Sequence, residues 1–198
     1  APLRALRAVE LALAPVRLLP LRPEHAAPLE AAGCADGLHL LSVTWVPGPG
    51  EGEGYVSKAL AMQAAGTRWP WVVTLADSGE VVGSTSFHDI VPDIDRLEIG
   101  HTWYAKRVQR TAVNTCCKLL LMTHAFEDLG VQLLGWRTGA ENLASQAAIE
   151  RLGARKDGVL RHHMRRRDGV VRDTVMYSMT AAEWPAARQI LRERLAQR

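Results

Sequence analysis

A basic loop between a strand pattern and a helix pattern is the first segment of the sequence that could do chemistry. Residues 96–104 have the character of a strand, and the next helix pattern begins at Thr111. Lys106, Arg107 and Arg110 lie between them. The first N–H groups of a helix have no partner within the helix, and the helix dipole adds about half a positive charge at that end. The segment is therefore predicted to bind a phosphate or pyrophosphate group.

A second helix start with polar residues lies further along the chain. Asn142 is a good N-cap, and Ser145 and Ile149 are spaced to share a face of the helix. Gly153 suits the left-handed residue that ends a helix. Because this framing is common to short helices, the segment alone does not identify a site.

Together, in this order and at this separation, the two segments resemble the Gcn5-related N-acetyltransferase (GNAT) superfamily. Its first motif is Arg/Gln-x-x-Gly-x-Gly/Ala, which is occupied here by Arg107-Val108-Gln109-Arg110-Thr111-Ala112. Its second motif begins with Asn-x-x-Ser/Ala and ends in Leu-Gly, as Asn142, Ser145 and Leu152-Gly153 do here. Arg110 stands where the first motif has glycine, a departure that bears on how closely the backbone approaches a phosphate.

Three further stretches look like one branch of that superfamily, the ribosomal-protein alanine N-acetyltransferases (the Rim type). They are Val16–His25, Arg96–Tyr104 and Val175–Met179. The resemblance covers residues 16–185, most of the chain. It implies the GNAT acyl-CoA N-acyltransferase fold, an α/β (α+β) fold with a central twisted mixed sheet flanked by helices.

The resemblance also implies direct transfer of an acetyl group from acetyl-CoA to a primary amine while both are bound. Glu98 is then the candidate base, and Ser145 is the candidate acid because Ile149 stands where many members have a tyrosine. Trp45 and His88 are the candidate acceptor-binding residues. Contacts with the cofactor are expected from Thr102, Trp103, Tyr104, Arg107, Val108, Gln109, Arg110, Thr111, Ala112, Val113, Asn114, Asn142 and Ser145.

The basicity of the acceptor favours an α-amine. At pH 7.5 about a third of an α-amino group with a pKa of ~7.8 is neutral, against roughly one in a thousand lysine side chains. A single carboxylate base therefore fits a peptide N-terminus or a small amine of low pKa better than it fits lysine.

Three alternative functions stay open at this point. The donor could be another acyl-CoA, such as succinyl-CoA. Arg110 and Ile149 at motif positions are also compatible with a CoA-binding domain whose catalysis has decayed. Finally, the arginine-rich run Arg161–Arg167 could bind nucleic acid, although its alternation indicates a solvated hairpin edge.

Composition restricts the remaining choices. The chain has 198 residues, of which 47% are hydrophobic and 23% charged, as expected for one globular domain. A formal charge of +3 suits an anionic ligand but is too small to require nucleic acid. The seven histidines lack metal-ligand spacing, so we expect no metal. No apolar run approaches the roughly 20 residues of a membrane span, and the three cysteines form no disulfide framework. We expect a cytoplasmic monomer or homodimer without membrane partners.

Hydrophobic periodicity predicts the elements that position these residues. Residues 1–15 are predicted as an N-terminal helical extension to a single domain at 16–198. Within that domain the predicted strands are a short one from Val16, Trp71–Ala76, Val81–Ile90, Arg96–Tyr104, Val131–Thr138, Val159–Arg167 and Val170–Met179. The predicted helices are Ala26–Ala32, Tyr55–Ala65, Thr111–Glu127 and Asn142–Leu152.

Overall fold

One mixed sheet organises the chain in the computed structural model, which describes residues 3–197. Its strands within that range are β1 (Leu11–Leu13), β2 (Val16–Pro20), β3 (Arg68–Leu75), β4 (Val81–Val91), β5 (Arg96–Tyr104), β6 (Leu133–Gly139), β7 (Arg155–Arg165) and β8 (Val171–Thr180). They lie in the order β1-β2-β3-β4-β5-β6-β8-β7. Neighbours are antiparallel except β5 and β6, which are parallel. The predicted mixed sheet is confirmed.

Helices cover both faces of this sheet. They are α1 (Ala26–Cys34), α2 (Gly52–Ala64), α3 (Ala112–Thr123), α4 (Leu143–Arg151) and α5 (Trp184–Ala196). α1 and α2 enclose a core with Val72 and Trp103 on one face. α3 packs on the other face against Trp71, Phe87 and Ile99, and α5 packs on α3. None of the helices within residues 3–197 combines the length and apolar character that a bilayer span requires.

The parallel pairing of β5 and β6 is short, and it leaves a gap between the two strands. The register pairs Arg96 with Leu133, Leu97 with Leu134 and Glu98 with Gly135. Beyond these pairs β5 continues to Tyr104 and β6 to Gly139, each still bonded to its outer neighbour. The two strands therefore separate, and we call the gap between their ends the split. Backbone groups along its two edges have no strand partner among the described residues.

The N-terminal helix predicted over residues 1–15 is wrong for residues 3–15; Ala1 and Pro2 lie outside the described residues. The segment is extended, and β1 pairs with β2. Long-range hydrogen bonds hold it there, because the Arg4 N–H donates to the Leu129 carbonyl at 2.8 Å and the Trp71 indole to the Val9 carbonyl at 2.9 Å. Tertiary pairing thus overrides the helix propensity of its alanines and leucines.

Two other differences from the predicted elements concern helices. The helix predicted to reach Glu127 ends as α3 at Thr123 and continues as a wider π turn over His124–Asp128. The helix α5 was not predicted at all, although it buries Trp184, Ala187 and Leu191.

Candidate active site

Three polar side chains stand directly opposite one another on neighbouring strands. Arg68 of β3 pairs with His88 of β4, and His88 pairs with Glu98 of β5. They lie on the sheet face that α1 and α2 partly cover, since Arg68 lies over the ring of Tyr55 in α2. We call Arg68, His88 and Glu98 the polar row. Its Glu98 end is also the last pair before the split opens.

Glu98 is fully buried and held by two arginines. Its Oε2 accepts from Arg137 Nε, and its Oε1 accepts from Nη2 of both Arg137 and Arg96, all at 2.8 Å. A Cβ on Gly135 would lie 2.8 Å from Glu98 Cγ, so glycine provides the space for this side chain. Charge-assisted bonds to both oxygens occupy the lone pairs that a base would use. Its role as the direct base stays a prediction.

His88 is a second candidate base on the same face, through its imidazole nitrogen. Its Nε2 lies 3.8 Å from Glu98 Oε2. Burial lowers the pKa of His88 to about 4, although Glu98 opposes this effect. The imidazole is therefore neutral near pH 7. The ring lies over Gly100, where any Cβ would overlap its Nε2.

A β-bulge places His101 beside this pair. Ser84 pairs with Trp103 and Ser86 with Gly100, so β5 has an extra residue here, and His101 adopts a left-handed φ of 49°. Its exposed ring meets the His88 ring edge-on at 5.1 Å between centroids. The pKa of His101 is lowered, chiefly by its partly enclosed position and next by the positive charge of Arg68.

The α1–α2 segment forms one wall of this face. Trp45 packs edge-on against Tyr55, with 5.3 Å between ring centroids, and Lys58 Nζ lies 4.8 Å from the centre of the Trp45 ring. Tyr55 therefore links Trp45 to Arg68 of the polar row, and the role of Trp45 in binding the acceptor stays a prediction.

The tip of the β7–β8 hairpin reaches that wall. Arg167 Nη2 donates to both oxygens of Glu51 at 2.7 and 2.8 Å, and its Nη1 donates to the Val46 carbonyl at 3.1 Å. We call this contact the Arg167 bridge. It joins the half of the molecule that carries β6 to the half that carries β5, on the face of the polar row.

The loop before α3 has a left-handed residue at the position where the motif has glycine. Arg110 has a φ of 60° there, in the region that glycine favours. Thr111 is the N-cap and accepts from the Val113 N–H at 3.3 Å. Gln109 donates to the Tyr104 carbonyl at 2.8 Å and fixes the loop, while Arg107 forms an ion pair with Glu80.

A cleft of about 440 Å³ opens beside this loop, on the α3 side of the sheet. Its polar lining includes Arg110, Arg151 and Arg194, which come from the loop before α3, from α4 and from α5. We call it the cationic cleft. Its other lining residues are Thr111, Asn114, Thr115, Ala148, Leu152, Leu191, Leu195 and Gln197. Of the predicted cofactor residues, it brings Arg110, Thr111 and Asn114 together.

Several other predicted cofactor residues have their side chains elsewhere. Trp103, Tyr104, Val108 and Val113 are buried in the core, so only their backbone groups are available to a ligand. Ala112 begins α3 and is half-buried.

Thr102 shares a hydrogen bond with Thr85 at 2.8 Å and accepts from Lys118 Nζ at 3.3 Å. Burial lowers the pKa of that lysine to about 8. Thr102 is therefore engaged within the protein.

The second motif forms the start of α4. Asn142 Oδ1 accepts from the Ser145 N–H at 3.1 Å, so Asn142 caps the helix as predicted. Ser145 is half-buried and lies one turn before Ala148 of the cationic cleft.

Arg151 and Arg194 of the cleft were missed by the sequence analysis. Arg151 lies within the second motif, two residues before Gly153, which is a usable signal. Arg194 had no such signal, because α5 itself was not predicted.

Residues 16–155 match the model of the acetyltransferase (GNAT) domain. The chain belongs to the GNAT acetyltransferase family. This family consists of acyltransferase enzymes, and the predicted superfamily is confirmed.

Solved GNAT structures have the same fold. A GCN5-related N-acetyltransferase from Brucella melitensis is 28% identical with a TM-score of 0.88, over 97% of this chain and 87% of that chain. RimJ from Mycobacterium smegmatis, in complex with CoA-disulfide, is 25% identical with a TM-score of 0.75, over 92% of this chain and 91% of that chain. The predicted GNAT fold and the likeness to the Rim type are therefore confirmed.

Among curated sequences, the uncharacterized N-acetyltransferase YoaA of Bacillus subtilis (strain 168) is 27% identical over 121 residues. That alignment covers 61% of this chain and 66% of YoaA. The chain spans 57% to 66% of the length of the curated relatives that it matches.

Proposed function

We propose that this GNAT protein transfers an acetyl group from acetyl-CoA to a primary amine while both are bound. The observation that carries the proposal is the split between β5 and β6. The cationic cleft lies on its α3 side, and the polar row lies on its α1–α2 side. Two substrates that enter from opposite faces would meet at the split, where holding them in line makes the step effectively unimolecular.

The cationic cleft suits the phosphate groups of CoA. Arg110, Arg151 and Arg194 supply guanidinium groups, and the start of α3 supplies N–H groups and the positive end of a helix dipole. Support also comes from RimJ, the similar protein solved with CoA-disulfide. The unpaired backbone N–H groups along the split are suited to the thioester oxygen as negative charge develops on it.

The amine nitrogen attacks the thioester carbon, the C–S bond breaks, and CoA leaves as the thiolate. The attacking amine must also lose a proton. We assign this proton to His88 Nε2, which is neutral near pH 7, with Glu98 and its two arginines fixing the charge around it. Ser145 stabilises the thiolate by donating a hydrogen bond from its hydroxyl. An α-amine is the acceptor that these weak bases serve best, because a large fraction of it is already neutral.

Thiol release and product mass test this proposal. We expect the protein to release free CoA from acetyl-CoA only when an α-amine is present, with intersecting initial-rate lines for the two substrates. Glu98→Gln and His88→Ala should each lower kcat by about 10²-fold or more, with the acetyl-CoA Kd unchanged. Ser145→Ala should lower kcat by roughly tenfold. Glu53→Gln, an exposed carboxylate on α2, is the matched control.

Each possible failure has its own meaning. If calorimetry finds no binding of acetyl-CoA, the cationic cleft is not a CoA site and the proposal is wrong. If succinyl-CoA binds and reacts in its place, only the donor is wrong. Parallel initial-rate lines would contradict direct transfer. Full turnover by His88→Ala would remove His88 as the base, and the Glu98→Gln result would then decide whether Glu98 takes that role.

A further inference from the structure

Arg68 is a buried cation with no counter-ion. Its side chain is 2% exposed, and its Nε donates to Ser86 Oγ at 2.8 Å. The guanidinium carbon lies 5.9 Å from the centre of the Tyr55 ring. Its Nη2 has no hydrogen-bond partner, and no carboxylate within residues 3–197 forms an ion pair with it. A buried charge without a partner is costly, so the fold retains this arginine at the expense of stability.

The two carboxylates beside Arg96 and Arg137 are already used. Glu98 is shared by Arg96 and Arg137, and Asp89 lies 3.1 Å from Arg137 and 3.6 Å from Arg96. These two carboxylates balance those two arginines.

Lys58 adds to the surplus, because the contact described for its ammonium is with the Trp45 ring. His88 and His101 do not provide negative charge, because a histidine is either neutral or positively charged. Around the polar row, the positive groups therefore outnumber the carboxylates that pair with them, and Arg68 is the buried one that lacks an ion pair.

Arg68 is buried near the exposed His101. After burial, the charge of Arg68 is the next cause that lowers the pKa of His101, and the exposed Lys58 lowers it as well. Because Arg68 Nη2 is itself buried, a ligand reaches it only when the exposed side chains of His101 and Lys58 move. Arg68 also stands one strand away from His88, and neighbouring strands are about 5 Å apart. A ligand with its amine at His88 could thus place a second group at Arg68 only if the two groups are a few bonds apart.

We propose that Arg68 binds a carboxylate carried by the acceptor, so that the acceptor is an amine with a carboxylate within a few bonds. This inference rests on the proposed acetyl transfer to an amine. The carboxylate accepts from the free Nη2 and provides the missing counter-charge, while Lys58 attracts it from solution. Two sources share this chemistry: a free amino acid, and a peptide whose first residue is acidic.

Matched acceptor pairs test the proposal. Rates are measured for glutamate against glutamine amide, and for peptides that begin with Asp or Glu against the same peptides beginning with Asn or Gln. We expect kcat/KM to favour the carboxylate by tenfold or more in at least one pair, because the amide leaves Arg68 unpaired. The pair that shows the effect identifies the source.

Variants then locate the effect. Arg68→Met should reduce the carboxylate-to-amide ratio to about one, Arg68→Lys should retain part of it, and Lys58→Ala should lower it severalfold. Arg192→Met, an exposed arginine on α5, should leave the ratio unchanged. Circular dichroism and the acetyl-CoA Kd check that each variant is folded.

Product binding separates this proposal from the proposed function. Calorimetry with N-acetylglutamate and its diamide requires no turnover, and we expect only the carboxylate to bind, through Arg68. If acetyl transfer occurs but carboxylate and amide acceptors are equivalent, the Arg68 proposal is wrong and the proposed function stands. If N-acetylglutamate and acidic N-acetylpeptides fail to bind the protein, the Arg68 proposal is also wrong, and an internal water is then the partner of Nη2.

Discussion

At the scale of single residues, the geometry of the proposed base depends on a glycine. Gly100 lies under the His88 ring, and any Cβ there would overlap His88 Nε2. Gly100→Ala should therefore move the ring from the polar row and lower kcat/KM by about 10²-fold, because small displacements at a reacting centre have effects of this size. Acetyl-CoA binding should not change. In β7, a Cβ on Gly158 meets no atom within 4 Å, so Gly158→Ala is the matched control. Equal activity of both variants would contradict the assignment of His88.

The same histidine makes a second prediction, for stability. The pKa of His88 is about 4 in the folded protein and near 6.5 when unfolded. Between these values the unfolded chain binds more protons, so the free energy of unfolding falls as the pH drops from 6.5 to 4 and levels off below 4. This group contributes a loss of about 3 kcal/mol at most. Denaturant titrations of the wild type and His88→Asn should differ in slope over that window. Parallel curves would show that the imidazole is not buried as a neutral ring.

The sequence identified the residues that a motif or an alternating strand makes visible. Glu98 and His88 were both predicted, and they face each other on β4 and β5. Arg68, Arg137 and Arg151 were not, because their roles depend on which strands and helices become neighbours. A buried arginine has the same appearance in a sequence as a solvated one.

At the scale of elements, two substitutions in the loop before α3 distinguish the effect of backbone conformation from the effect of charge. Arg110 has the left-handed conformation that glycine adopts freely and alanine does not. Arg110→Gly and Arg110→Ala both remove the guanidinium group, so we expect both to raise the acetyl-CoA Kd severalfold, and less so at high salt. Only the glycine variant relieves the backbone, and it should be about 1 kcal/mol more stable to unfolding than the alanine variant. An unchanged Kd in Arg110→Gly would mean that the guanidinium does not contact the phosphates.

Elements with strong periodicity were predicted well, and those defined by tertiary contacts were not. Arg96–Tyr104 was predicted with the bounds that β5 has. β1 has three residues and depends on pairing with β2, which no local pattern indicates. The helix α5 buries only Trp184, Ala187 and Leu191 among its 13 residues, so its apolar stripe is too sparse to predict a helix.

At the scale of the whole molecule, the Arg167 bridge joins the two halves on the face of the polar row. Arg167 and Glu51 are 38% and 39% exposed, so their ion pair should contribute less than about 1 kcal/mol to stability. Arg167→Ala should therefore leave the melting temperature nearly unchanged, yet raise kcat/KM for bulky acceptors relative to small ones. Arg17→Ala removes an ion pair of similar exposure far from the split and is the control. Identical acceptor profiles for both variants would exclude the bridge as a restriction on size.

The order of strands and helices was enough to predict the mixed sheet, because few packings satisfy that order. The Arg167 bridge could not be predicted from the sequence, because its partners are separated by 116 residues along the chain and meet only when both halves have folded.

The bridge also changes the topology of the split. Around it, β5 and β6 meet at Glu98, Lys106–Val108 packs near Ala35–Leu40, and the Arg167 bridge completes the circuit through the β7–β8 hairpin. A closed circuit makes the split an aperture rather than an open groove. An open groove accepts a chain laid along it at any point, whereas an aperture accepts only what can be threaded. Under the proposed function we expect a terminal amine or a free small molecule to enter it head first, and the middle of a polypeptide to be excluded while the bridge is closed.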